Sequence, residues 1–335
     1  MARTVLVTGA SGFIGSHLAR ALVEAGYDVR AMTRHPHRYD GAGRAVAGDV
    51  ADPGSLTAAL TGVRAAYYLV HSLGSDDFEE KDATAAANFA HAAGEAGVER
   101  IIYLGGLGSD DEDLSPHLRS RRKVEELLRA GEVPVTALRA AVVVGNGGIS
   151  WEITRQLVDR LPLMVTPRWV QTRTQPIALL DVVRYLVGVL EPVEARGQVY
   201  EIGGPDVLRY RDMLGRAARV LGKRVTTITV PLLTPRLSSA WLALVTNVDL
   251  ATARNLVDSM TTEVVVRDRS IEKVVPGPTI GYEDAVRLAL ADRKSAEQAG
   301  DGPGGAGGAA GSAPAPAADS APGPAQTGAK APRAR

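Results

Sequence analysis

The chain has 335 residues, enough for a large core, and its hydrophobic share of 45% marks it as globular. Its 38 basic and 38 acidic side chains balance to a formal net charge of zero, which argues against nucleic-acid binding driven by phosphate neutralisation. With no cysteine there is no disulfide, thiolate nucleophile or cysteine-ligated metal, and no apolar run is long enough for a membrane span.

The N-terminus enters a strand pattern directly, TVLVTG, with no signal peptide, so a soluble cytoplasmic protein is the default expectation. The next segment, FIGSHLARALVEAG, has helical spacing and closes on Gly26. DVRAMTR reads as a second strand. DPGSLTAALTGV begins with a capping Asp52 and Pro53 and reads as a short helix. AAYYLV follows as a buried strand, residues 82–97 as an alanine-rich helix and RIIYLGG as another strand. A helix from Pro116 to about Arg129 ends before Gly131, and VTALRAAVVVG reads as one further strand. Repeated strand–helix units with aliphatic strands predict an α/β fold with a doubly wound, Rossmann-type parallel sheet covered on both faces.

The second half is less regular. ISWEITRQLVDRLP is amphipathic, TQPIALLDVVRYLVGVLE reads as a strand edge and a helix, and GQVYEIGG, RYRDMLGRAARVLGK and RVTTITVP read as strand, helix and strand. Residues 234–263 have a helical pattern. The expected organisation is a dinucleotide-binding core over residues 1–145 and a smaller C-terminal substrate lobe over residues 146–295, with segments returning to the core. Residues 296–335 are Gly, Ala, Pro and Ser-rich, with no apolar residue larger than alanine, and read as a disordered tail.

The most informative stretch is VLVTGASGFIGSHL. Gly9, Gly12 and Gly15 lie between a strand and a helix, the context that a dinucleotide-binding loop requires. Glycines let the backbone approach a pyrophosphate, and the helix starting near Phe13 aims free N–H groups at it. Gly9, Ser11, Gly12, Phe13, Ile14 and Gly15 are therefore the expected cofactor loop. An acidic residue ending the second strand would suit an NAD ribose, but Arg34 stands there, with Arg38 nearby. A guanidinium fork suits a 2′-phosphate, which points to NADP(H) over NAD(H), though NAD(H) stays possible. Asp49 and Val50 follow the third strand, beside an adenine. Val70 and His71 end the fourth, where His71 either faces the cofactor or caps a loop. His35 and His37 read as a solvated loop, and no metal-ligand set is expected.

With these residues in place, the chain resembles the atypical and extended branch of the short-chain dehydrogenase/reductase superfamily over about residues 3–225. VLVTGASGFIG, GDVAD, ERIIYLGGLG, LRAAVVVGNG and IALLDVVRYLV carry the resemblance. It looks closest to the NAD(P)H-binding NmrA-like group and to relatives of the nucleotide-binding accessory subunit of respiratory complex I. The resemblance implies a catalytic serine after the fifth strand and Tyr-x-x-x-Lys on the next helix. Aligned on that pattern, HLRSR puts His117 at the tyrosine and Arg121 at the lysine, Glu125 falls where many relatives carry a glutamate, and Gly105 or Gly106 replaces the serine.

Histidine is a competent acid near neutral pH, and Arg121 could hold a ribose or phosphate. Behind Ser115 as cap and Pro116 as first helical residue, the helix start should lower the His117 pKa. The alternative is that His117, Arg119, Arg121, Arg122 and Lys123 form a solvated helix start. Ser109 is the remaining hydroxyl that could approach. Asp82 and Asn88 read as helix-surface residues, Trp151 and Trp169 as lobe core, and GNGG (145–148) as a turn at the mouth of the site.

Two functions follow. One is an NADP(H)-dependent reductase of a small carbonyl or quinone-like substrate, without the usual triad. The other is a non-catalytic NADP(H)-binding redox sensor or assembly factor. Its partners would be the dinucleotide and a small-molecule substrate, with a homodimer or protein partner open.

Overall fold

The computed structural model describes residues 3–72, 77–108, 114–229 and 245–298. The chain alternates strand and helix: β1 (Thr4–Thr8), α1 (Phe13–Glu24), β2 (Asp28–Thr33), β3 (Arg44–Ala47), α2 (Pro53–Leu60), β4 (Ala65–Tyr68), α3 (Phe78–Glu95), β5 (Arg100–Gly106), α4 (Pro116–Arg129) and β6 (Val135–Ala140). It continues with β7 (Val143–Val144), α5 (Ile149–Arg160), β8 (Leu163–Thr166), β9 (Arg173–Thr174), β10 (Ile177–Ala178) and α6 (Leu179–Gly188). Then come β11 (Val199–Ile202), β12 (Leu208–Arg209), α7 (Tyr210–Val220), β13 (Thr226–Thr229), α8 (Leu250–Ser259), α9 (Ile271–Val274) and α10 (Tyr282–Gln298).

Seven strands form one sheet in the order β11-β6-β5-β4-β1-β2-β3, every pair parallel. Chain order reverses between β1 and β4. At that point the loops leaving the two strands diverge to opposite sides and open a crevice at the carboxyl edge. Both sheet faces are covered, which is why β1 is buried at every position. On one face Leu18 and Leu22 of α1 and Val182 and Leu186 of α6 pack over β1 and β6. On the other, Leu56 and Leu60 of α2, Phe89 of α3 and Val124 and Leu128 of α4 do the same. A second core joins Trp151 and Leu157 of α5, Met213 and Leu214 of α7, Leu256 and Val257 of α8 and Val286 of α10. Trp151 is fully buried in it, and Trp169 packs at its margin, edge-on to Tyr210.

Local signals act as expected at several ends. Asp52 accepts from the Gly54 amide at the start of α2, and Ser115 accepts from the Leu118 amide at the start of α4. Two expectations need correction. The alanine-rich helix begins at Phe78, not residue 82. The Phe78 side chain is buried and anchors the extra turn, and Glu79 and Glu80 lie where the helix dipole favours acidic groups. The expected single strand VTALRAAVVVG is two. After Ala140, whose carbonyl takes the Leu107 amide, the chain leaves the sheet and β7 pairs with β10 instead. β11, from the second half, occupies the sheet edge beside β6. Among the described residues, no helix is long and apolar enough to cross a membrane. The tail expected to be disordered falls outside the described residues from 299 onward, as do Ser109 and residues 234–244 of the expected helical stretch.

Candidate functional site

At the carboxyl edge by the β1–β4 switch point lie two groups of candidate residues, a candidate nucleotide end at the glycine loop and a candidate reaction end at the exits of β4 and β5. At the nucleotide end, Gly9 takes φ +62°, a conformation costly for any residue with a Cβ, and its backbone lies against the Leu69 carbonyl of the β4 exit. The Gly12 amide donates to the Gly9 carbonyl at 2.9 Å, which closes the turn and places Gly12 as the cap of α1. A Cβ at Gly15 would stand 2.1 Å from the Gly9 carbonyl oxygen, so α1 sits directly on the end of β1. The first turn of α1 holds no acidic residue and its cap makes no side-chain bond, which leaves an electropositive helix start facing the crevice. Ser11 is exposed, Ile14 packs on the sheet core, and the Phe13 ring lies against the turn Gly145–Gly148. That turn borders the glycine loop.

The other nucleotide-end residues also lie past strand ends. Arg34 and Arg38 are exposed, and neither side chain bonds to any other described residue. His35 and His37 are exposed and edge-on to each other. Asp49 Oδ1 accepts from the Ala51 amide at 2.9 Å, while the Asp49 amide donates to Ser55 Oγ. The Val50 carbonyl accepts from Asn88 Nδ2, and Val70 packs on the α2–α4 side of the sheet. Thr8, not singled out by its sequence context, holds the crevice open: its hydroxyl donates to the Tyr67 carbonyl and accepts from the Leu69 amide.

At the reaction end the sequence-predicted residues converge with one read as peripheral. Asp82 was expected on the helix surface. It is 2% exposed and lies on the inward face of α3. Its Oδ2 meets His71 Nδ1 at 2.5 Å, its Oδ1 accepts from the Ser72 amide at 2.9 Å, and Ser120 Oγ donates to Oδ2 at 3.3 Å. His71 Nε2 in turn meets His117 Nδ1 at 3.1 Å. The result is a continuous chain, Asp82–His71–His117, drawn from α3, the β4 exit and α4. His117 Nε2 makes no bond to the other described residues and is not sealed from solvent. His71 thus bonds through both ring nitrogens, and His117, half-buried in the first turn of α4, bonds to it through Nδ1.

The basic cluster on α4 divides. Arg119 pairs with Glu79 at the surface and Lys123 with Glu126. Arg122 donates to the Gly108 carbonyl at 3.0 Å. Arg121 alone turns into the site: Nη2 donates to the Leu104 carbonyl at the end of β5, and its guanidinium stacks over the Tyr103 ring at 5.0 Å. Its Nη1 is buried with no partner among the described residues. A side chain at Gly105 or Gly106, at the serine position, would require a neighbouring side chain to shift. A Cβ on Gly105 would press on Tyr103 at 2.9 Å and one on Gly106 on Leu118 at 2.9 Å. Glu125 faces away and pairs bidentately with Arg139 at 2.8 and 2.9 Å.

The electrostatics follow from burial. His71 is held below its ordinary pKa first by desolvation, which outweighs the upward pull of Asp82, and further by the Arg121 charge. His117 lies well below the ordinary histidine value, again through burial first, then through His71 and Arg121. The helix start expected to depress it is not the leading cause. Burial alone would raise Asp82, but the bond from His71, the Ser72 amide and Arg121 together keep its carboxyl below the usual range. The favoured state at neutral pH is a carboxylate beside two neutral imidazoles.

Residues 9–165 match a family described as NAD(P)H-binding. The chain is 29% identical over 231 residues to (4-alkanoyl-5-oxo-2,5-dihydrofuran-3-yl)methyl phosphate reductase of Streptomyces griseus, a match spanning 65% of this chain and 74% of that one. It is 23% identical over 238 residues to photosystem II assembly factor Ycf39 of Cyanophora paradoxa, covering 68% and 72% respectively. The crystal structure of Citrobacter sp. triphenylmethane reductase complexed with NADP(H) superposes with a TM-score of 0.70 at 20% identity, over 85% of this chain and all (100%) of that one. With the glycine loop seated at the switch point, the chain has a Rossmann-type fold, and its residues 9–165 are similar to a family described as NAD(P)H-binding.

Proposed function

We propose that this protein is an NADP(H)-dependent reductase of a small carbonyl or quinone-like substrate that works without the Ser-Tyr-Lys triad. The observation carrying this reading is the chain Asp82–His71–His117, which ends in a His117 Nε2 with no bond to the other described residues. A buried, ordered line of titratable groups at the carboxyl edge of a nucleotide-binding sheet is costly to maintain for packing alone. The reductase among the relatives supports the same chemistry.

The residues present fit a dinucleotide. With Gly9 and Gly12 closing the turn, the amides of Ser11, Phe13, Ile14 and Gly15 would receive the pyrophosphate, and Arg34 with Arg38 the 2′-phosphate. Asp49 and Val50 would flank the adenine, and Val70 and His71 the inner part of the cofactor. Arg121 would take a ribose or carboxamide oxygen, or a substrate oxygen, with Nη1. When bound, the reduced nicotinamide supplies a hydride. His117, once protonated, donates from Nε2 to the oxygen that gains charge, and the buried carboxylate of Asp82 offsets the imidazolium. A quinone-like acceptor places less demand on that donor.

Purified protein should oxidise NADPH faster than NADH when offered a panel of aldehydes, ketones, enones and quinones, followed by nicotinamide absorbance. Tight cofactor binding with no turnover across the panel would overturn the reductase reading. It would favour the second one, a redox-responsive binding protein, which the replaced triad and the likeness to an assembly factor support. That alternative predicts a partner-binding change between NADP+ and NADPH without consumption of either.

A further inference from the structure

We propose that Asp82 acts through His71 to set the tautomer of His117. His117 Nε2 is then bare in the neutral pair, and an added proton held there is the acid that reaches the substrate. The proton-donor role rests on the reductase reading; the tautomer does not.

The bonding order leaves one solution. An ionised carboxylate only accepts. Asp82 Oδ1 is committed to the Ser72 amide, and Oδ2 receives His71 Nδ1 and the Ser120 hydroxyl. His71 Nδ1 therefore carries the hydrogen. A neutral imidazole has a single N–H, so His71 Nε2 is an acceptor, and across 3.1 Å the donor must be His117 Nδ1. That leaves His117 Nε2 with a lone pair. A tyrosine at this position would present its proton in the resting state. Here the donor exists only after one proton is taken up at Nε2, two imidazoles from a compensating carboxylate. In the transfer, the Nε2–H bond breaks, an O–H bond forms on the charged substrate oxygen, and the imidazole returns to its Nδ1–H form. Solvent then resupplies the open Nε2.

Among the described residues, the groups around the pair are few. Asp82 and the Phe78 ring edge face it from α3, Arg121 and Ser120 from α4, the Ser72 amide from the β4 exit and Tyr103 from β5. Burial pushes the Tyr103 phenol up to about 12, so it does not titrate near neutrality. Asp82 and Arg121 are the fixed charges, and the added proton is shared between the two histidines.

The Ser72 amide makes the test unusually direct. In an Asp82→Asn variant that amide still needs an acceptor, so the Asn oxygen stays at the Oδ1 position and the amide NH2 faces His71. His71 Nδ1 must then accept, its Nε2 carries the hydrogen and donates to His117 Nδ1, and His117 becomes the Nε2–H tautomer. Two-bond ¹H–¹⁵N imidazole spectra on the full chain without cofactor report both tautomers. The wild type should show His117 protonated at Nδ1 and bare at Nε2, and Asp82→Asn should reverse both rings. Wild-type NADPH-dependent reduction should fall about tenfold per pH unit above the pKa of the pair, and the variant's rate should be flat there.

A wild-type His117 that is neutral and protonated at Nε2 overturns the proposal, whether or not the variant folds. So does a folded variant with unchanged tautomers, because the carboxylate would then be a packing group. If the tautomers reverse as stated but no acceptor is turned over, the reductase reading and the donor role fail together, while the control of His117 by Asp82 stands.

Discussion

The two ends of the crevice are built in opposite ways. The nucleotide end is a short stretch of backbone, Gly9 through Gly15, together with arginines that point into solvent. The proposed reaction end is assembled from α3, α4 and the exits of β4 and β5, and its side chains are largely withdrawn from water. The first depends on the absence of side chains, the second on a closed set of hydrogen bonds. Substitutions at the first should therefore act through sterics and affinity, and at the second through rate and pH.

The largest expected effect lies at the reaction end. His117→Phe keeps an aromatic ring but removes the proton carrier, and should lower the kcat of carbonyl reduction by about 10²–10⁴-fold with NADPH affinity retained in calorimetry. An equal loss of cofactor binding would blur the distinction between the two ends. Next comes Gly15→Ala. Its Cβ would meet backbone rather than a flexible side chain, so destabilisation of about 3 kcal/mol or more is expected in chemical denaturation. A variant as stable as the parent would mean that α1 can move off β1.

A smaller effect is expected from Arg34→Ala. Loss of a charge-assisted contact should weaken NADPH by about tenfold and leave NADH nearly unchanged, because among the described residues the side chain has no partner to lose. Equal losses for both cofactors would remove the case for 2′-phosphate selection.

The subtlest test sets stability against activity as pH changes. His71 and His117 have folded pKa values below their unfolded ones, so the unfolded chain binds more protons as pH falls below the ordinary histidine value. Asp82, also depressed, adds stability above the usual carboxylate pKa that is lost as pH falls through its folded value. Both effects make the fold more stable toward neutrality, whereas proton donation favours the acid side. Thermal unfolding between pH 4 and 7 should show a rising midpoint as pH increases (window set by roughly the ordinary Asp and His values). Replacing His71 and His117 together should flatten the upper part of that rise.

The same division explains what could be read before any coordinates. The glycine loop, the Asp52 and Ser115 caps and the Pro116 helix start are written in adjacent residues, because turns and helix ends are satisfied within a few positions of the chain. His117 and Arg121 could be singled out by register within one helix. Asp82 could not, since its burial depends on α3 packing against the β4 exit and α4, where it meets His71 and Ser120. Nor could the break between β6 and β7, the placement of β11 beside β6, or the Thr8 bridge to β4. Each of these pairs residues far apart in the chain. Periodicity records that a side chain turns inward; which distant group it meets there depends on how the sheet and its helices close around it.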